Sequence, residues 1–203
     1  MKNAITNSKK GILLVTMMFT LVSFANDASL FNIKNDSKKT ALTLYNVKQG
    51  DLLTVKDITG LILYKETIQK TGTYDKGFDL THLPDGNYIF ELDKDFEITS
   101  IPFTVESSVV LFDKANETVV FKPVVRTKDN LVYVSQLCFN KTPLNVEIYF
   151  AGYGSERYES VFAEKLNDIK IIEKVYKLTG LDQGAYKIVL RSEGKEFTKF
   201  IKS

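Results

Sequence analysis

The sequence predicts an all-β protein: two tandem immunoglobulin-like β-sandwich domains behind an N-terminal signal peptide. Three observations carry this reading. Short runs rich in β-branched and aromatic residues recur along the 203 residues. Turn-forming clusters separate them roughly every 8 to 12 residues, the spacing of sandwich folds. A corner written DLTHLPDGNY at Asp79–Tyr88 also returns as KLTGLDQGAY at Lys177–Tyr186.

The first element is not part of the fold. Lys2, Lys9 and Lys10 precede the unbroken apolar run GILLVTMMFTLVSF, and Ser23 and Ala25 put small side chains where a signal peptidase cuts. Residues 1–25 therefore read as an export signal, with Ala28 as a second cleavage point. The apolar core is too short for a spanning helix, which needs about 20 residues, so the mature form has no membrane span. No cysteine follows to carry a lipid. The expected location is the periplasm, the cell surface or the medium.

Cleavage also corrects the charge. Removing those three lysines from 27 basic residues leaves 24 against 25 acidic ones, so the apparent excess belongs to the signal. A balanced chain with scattered lysines has no field to gather nucleic acid, which excludes that partner.

The mature part divides by its repeat. With Gly86 aligned on Gly184, an offset of 98, Phe78 meets Tyr176, and Leu80, Thr81 and Leu83 meet Leu178, Thr179 and Leu181. Tyr88 and Leu92 meet Tyr186 and Leu190. Upstream, Gly60 and Tyr64 fall opposite Gly154 and Tyr158 at an offset of 94, which places about four extra residues of the second copy between that point and the corner. Residues 29–114 then form one domain and 115–203 the other, each burying roughly 60 to 65% of its unfolded surface.

The runs LLTVKD, LILYKE, GNYIFELD and FEITSIPFTV in the first copy, and LVYVSQLCF, LNVEIYF, AYKIVLRS and EFTKFIKS in the second, read as strands. Pro102 suits a final or edge strand, where a missing donor costs least. ERYESVFAEKLNDI also has near-helical apolar spacing, but its counterpart does not, so a strand is expected there.

The corner has a physical reason. Pro84 presets φ, Asp85 can cap the turn, and Gly86 can adopt a positive φ. Leu83 before the turn and Tyr88 after it match a tyrosine corner, whose buried ring bonds to backbone upstream. Leu181, Gly184 and Tyr186 repeat the arrangement. These six residues are structural determinants in this reading, not a ligand site.

The string from Val55 to Tyr88, VKDITGLILYKE followed by FDLTHLPDGNY, resembles the C-terminal sorting domains of proteins exported by the type IX secretion system of certain Gram-negative bacteria, which carry a pattern like DLSxLxxGxY. Asp79, Leu80, Thr81, Leu83, Gly86 and Tyr88 match it, as do Leu178, Thr179, Leu181, Gly184 and Tyr186, with KEFTKFIKS as the closing strand. The resemblance implies an immunoglobulin-like sandwich, passage across the outer membrane, and engagement of secretion machinery through the second domain.

Residues that could carry chemistry are few. His82 lies alone in a turn and makes a poor metal site. Cys138 is the single cysteine, flanked by Leu137 and Phe139, and reads as a buried inert thiol. Asp93, Asp95 and Glu97 alternate as on a solvated face, without the clustering a calcium loop needs. Phosphate-loop and serine-elbow motifs are absent. No catalytic, metal or cofactor residue is assigned, and the protein is expected not to be an enzyme.

Binding remains. In FAGYGSERYESVF, Tyr153 between two glycines, with Arg157 and Tyr158, offers rings with polar tips for a protein or a cell-surface polysaccharide. The expected function is a secreted or surface-attached interaction or assembly protein. The alternatives are a passenger followed by a sorting domain, and a carbohydrate-binding module.

Overall fold

The computed structural model describes residues 31–36 and 39–202; the signal segment lies outside them. The described chain is sixteen strands and two single-turn 3-10 helices.

In unit 1, β1 (Phe31–Asp36), β2 (Lys39–Val47) and β5 (Gly72–Phe78) form a three-stranded sheet. A larger sheet orders β4 (Ile62–Thr67), β3 (Leu52–Asp57), β6 (Gly86–Asp93), β7 (Glu97–Glu106) and β8 (Val109–Phe112), with β9 (Thr118–Phe121) also on β7. In unit 2, β10 (Val124–Lys128), β11 (Leu131–Leu137) and β14 (Ile171–Lys177) form the small sheet. β13 (Glu159–Leu166), β12 (Leu144–Gly152), β15 (Gly184–Ser192) and β16 (Lys195–Lys202) form the large one. All pairings are antiparallel, and each unit has its own core between its two sheets.

Alternation drives both cores. In β6, Tyr88, Phe90 and Leu92 point inward, and in β15 Tyr186, Ile188 and Leu190 do so at the repeat offset. Phe90 sits among Phe78, Phe103 and Phe112, with ring centroids 5.2, 5.3 and 5.8 Å away. Aromatic pairs at such spacing add about 0.5–1.5 kcal/mol beyond burial.

Strand register corrects four readings of the sequence. Tyr64 pairs with Val55, which pairs with Phe90; Phe162 pairs with Ile148, which pairs with Ile188. Phe162, not Tyr158, is therefore the counterpart of Tyr64. Asp57 and Phe150 are equivalent at an offset of 93 and Tyr64 and Phe162 at 98, so the second copy's five extra residues lie in the turn between β12 and β13. β9 falls beyond residue 114 in sequence yet extends the sheet of unit 1 along β7, and the units join at Lys122–Pro123. Pro102 is not on an edge: it lies between the stretch of β7 paired to β9 and the stretch paired to β8. Its carbonyl accepts from Asp113 N at 2.9 Å, on the side away from β6, so its missing donor removes no bond to β6.

The corners also differ from expectation in how glycine is used. Neither Gly86 nor Gly184 falls in the left-handed φ region that favours glycine, Gly184 being extended. At Gly184 the demand is space, because a Cβ would lie 2.1 Å from Ala151 O and 2.8 Å from the Phe150 ring. At Gly86 a Cβ would meet only the Tyr88 ring at 3.7 Å, an ordinary contact. Asp85 does not cap its own turn but accepts from Ser107 N at 2.9 Å; Asp79 caps instead, accepting from Thr81 Oγ1 at 2.6 Å.

Candidate functional site

The corner residues are internal. Tyr88 is buried and donates its hydroxyl to Pro84 O at 2.6 Å; Tyr186 is buried and donates to Thr179 O. Leu83 and Leu181 pack against the two cores. His82 is exposed, 3.3 Å from the Asp79 carboxylate. Cys138 is fully buried, and burial pushes its thiol further up, the Glu193 carboxylate adding to the effect. No group of three or more His, Cys, Asp or Glu side chains among the described residues could hold a metal ion.

The three loop residues separate. Tyr153 is 74% exposed, its amide held by Gln183 O at 2.9 Å, and Arg157 is exposed. Tyr158 instead turns onto the large sheet: its ring meets Phe200 edge-on at 5.8 Å and 67°, and Lys187 Nζ lies 5.4 Å from its centroid. The loop does not assemble the trio into one surface.

A different surface stands out, on the outer face of β10, β11 and β14. Tyr133 pairs with Val175 and Leu137 with Ile171, all four exposed, Ile171 at 62% and Val175 at 56%. At its end toward unit 1 this face runs into a cleft of about 370 Å³ lined by Leu137, Ile171, Phe96 and Phe121. Phe139 lies beside it, 5.4 Å from the Phe121 ring. At the other end Arg126 pairs with Tyr133, and Lys128 and Lys177 flank Leu131, giving a basic margin.

The cleft is held open by the joint between units. Gln136 Nε2 donates to Phe121 O at 2.8 Å, and Lys122 N donates to Phe96 O at 2.8 Å. Further along, the Glu91 carboxylate lies between Lys56 of its own sheet and Lys195 of unit 2. Burial pushes Glu91 up, but the two ammonium groups outweigh it and hold the carboxyl below the usual range.

No family model matches the chain, and no curated protein matches it. Among solved structures, similarity is reported to the BSP domain of a biofilm-associated protein (9% identity, 85% of this chain and 29% of that one, TM-score 0.25). It is also reported to the human OSCAR ligand-binding domain (7%, 85% and 96%, 0.25) and to the FN1–FN3 domains of chicken CNTN1 (9%, 85% and 64%, 0.24). This chain thus spans less than a third of the first of these. Likeness this remote carries no argument about function; the all-β class rests on the chain's own strands.

The apolar face had a signal in the sequence that the alternation rule could have found. An antiparallel strand with one solvated face should alternate, yet Ile171 and Ile172, and Val175 and Tyr176, put apolar groups on both faces of β14. No helix among the described residues is long and apolar enough to cross a membrane.

Proposed function

We propose that this is an exported, non-catalytic binding protein whose second unit docks a partner protein through the outer face of β10, β11 and β14. One observation carries the reading. At the positions of Ile171, Glu173 and Val175, one repeat earlier on the same face, unit 1 has Thr73, Asp75 and Gly77, and Thr43 donates to Asp75 at 2.6 Å. The sandwich therefore does not require an apolar surface there, and exposed apolar patches of this kind mark interaction sites. The non-catalytic part rests on His82 and Cys138, one solvated and one sealed in the core. The export part rests on residues 1–25.

The test is a double variant, Ile171→Asp with Val175→Asp. Both side chains already face water, so the thermal transition should stay in place while co-purification of a partner from the envelope or medium is lost. Retained co-purification would remove this face from consideration.

The type IX sorting reading of unit 2 is favoured by the corner motif and needs its own experiment, since removing β15 and β16 would take out core residues Tyr186, Ile188 and Leu190. Residues 122–203 fused behind a signal peptide and a reporter, in a host with that system, should reach the surface or the medium. Reporter confined to the periplasm would end this reading. The polysaccharide reading falls to Tyr153, because Tyr158 and Phe200 meet at 67° and cannot lie flat beneath one sugar. Loss of glycan-array signal in Tyr153→Ala would support it, and an array without signal would reject it.

A further inference from the structure

We infer that the open edge of β14 accepts an extended strand from the partner protein, so that recognition works by adding a fourth strand to the small sheet of unit 2. This rests on the docking reading above and names the form of its occupant.

The first observation is where the backbone of β14 points. Leu178 N donates to Asn130 O and Cys138 N donates to Lys170 O, both at 2.7 Å, which fixes the even-numbered residues as those bonded toward β11. In an antiparallel pair the intervening residues point their N–H and C=O groups the other way. Ile171, Glu173, Val175 and Lys177 therefore present theirs to the outer edge, where the sheet order β10-β11-β14 has no further strand among the described residues.

The second observation is that this edge keeps exposed charge at Glu173 and Lys177 but lacks the backbone features that normally protect one. Natural edge strands are blunted by bulges, glycine, proline or exposed charge. The equivalent strand of unit 1, β5, shows three of the backbone kind: Gly72 at φ +114, Gly77, and a register break against β2 between Leu44 and Val47. β14 pairs with β11 through seven residues without a break and contains neither glycine nor proline. Its inward charge, Lys174, is 3.5 Å from the Glu164 carboxylate, which neutralises it.

The third observation is room on the inner side. Beside β14, between the edges of the two sheets, lies a groove of about 560 Å³ lined by Val161, Phe162, Val175, Tyr176 and Tyr186, with Lys177 as its one charged residue. In unit 1 the seam beside β5 is tied more heavily at its glutamate. The Glu66 carboxylate takes hydroxyl donors from Tyr64 and from Tyr74 (2.6 Å) and lies 3.0 Å from Lys76. In unit 2 Ile172 stands where Tyr74 does, so Glu164 keeps only Tyr176 (2.5 Å) and Lys174.

These features define the occupant. Main-chain groups of β14 call for an extended segment about as long as the strand itself, roughly 23 Å for seven residues at ~3.3 Å each. Alternate side chains must be apolar, one set continuing the line of Ile171 and Val175 and the other entering the groove. A carboxylate belongs at the Lys177 end, where Lys128 and Arg126 add to the basic margin. This is strand addition, in which main-chain bonds supply affinity and side-chain pockets supply choice.

A phage-displayed library of linear peptides, selected on the whole chain, provides the probe. Enriched peptides should alternate apolar residues and carry an acid at one end. In hydrogen exchange they should protect the amides of Glu173 and Val175. Glu173→Pro removes a donor only from the open edge and should weaken the selected peptide by about tenfold, while Glu173→Ala binds normally. Val175→Lys, on the face itself, should block either mode of binding with the backbone unchanged. If Ile171→Asp and Val175→Lys abolish peptide binding while Glu173→Pro leaves it intact, strand addition is wrong and face docking stands. If no variant matters, both are wrong; if no peptide is enriched, strand addition is wrong and the co-purification test decides face docking. Dimerisation of the chain itself, abolished by Glu173→Pro, would make a second copy the occupant and overturn the partner assignment, as would binding to anionic phospholipid vesicles in place of any peptide.

Discussion

Units 1 and 2 solve the same seam in opposite ways. Each places a glutamate on the inward side of an edge strand, Glu66 on β4 and Glu164 on β13, equivalent through their pairings to Leu53 and Val146. The ring pair beside it is conserved in shape but not in chemistry: Tyr64 against Phe78 in unit 1, Phe162 against Tyr176 in unit 2, with the hydroxyl on opposite members. Unit 1 adds a hydroxyl from Tyr74 to its glutamate; unit 2 has Ile172 there, and a groove lies farther along its seam, beside Phe162 and Tyr186. The lesson is that one scaffold tolerates loss of a tyrosine hydroxyl at a seam, and that the two seams are free to differ.

The largest effect should come at the corners, where the two units look alike and are not. Gly184→Ala should destabilise unit 2 by about 3 kcal/mol, because a Cβ there strikes backbone and cannot be accommodated by a rotamer change. Gly86→Ala should stay within about 1 kcal/mol of wild type. Denaturant midpoints check the pair, and equal losses would break the distinction. Next comes the joint: Lys195→Ala leaves Glu91 buried with Lys56 alone and should cost about 1–2 kcal/mol, read as two separated calorimetric transitions in place of one coupled transition.

The corner tyrosines rank third. Tyr88→Phe and Tyr186→Phe should each cost about 1 kcal/mol, since each hydroxyl satisfies one carbonyl, and a large imbalance would show that the different acceptors, Pro84 and Thr179, matter. The smallest effect is on pH. Hydrogen bonds from Tyr64 and Tyr74, with Lys76 nearby, hold Glu66 down at about 2. A depressed folded value contributes stability above the ordinary 4.5 and loses it as pH falls toward 2. Acid titration of the tyrosine fluorescence of unit 1 should therefore show a limb between those values that Glu66→Gln removes.

Much of the fold was legible because its signals are local. Leu83, Gly86 and Tyr88 announce a corner through neighbouring residues alone, and alternation in GNYIFELD and AYKIVLRS announces which side is core. What misled depends on distant pairing. Tyr158 imitates Tyr64 in type and lies near it in repeat position, and only the ladder through Val55 and Ile148 reveals that Phe162 takes its place. TVVF falls just past the domain boundary that the repeat suggests, and nothing in four residues says that it will lie on β7. The docking face was half written: KIIEKVYK breaks alternation, yet its meaning depends on β14 being an edge, and edge status belongs to topology.

The placement of β9 has a mechanical consequence. Since β9 is stitched into unit 1 and β10 opens unit 2, with Lys122 and Pro123 alone between them, the connector has no slack. Tension along the chain would pass straight from the β7–β9 ladder into the β10–β11 ladder, with Lys195 and Glu91 as a parallel strut. A protein pulled from both ends would thus resist as a single stiff link until one of those ladders shears.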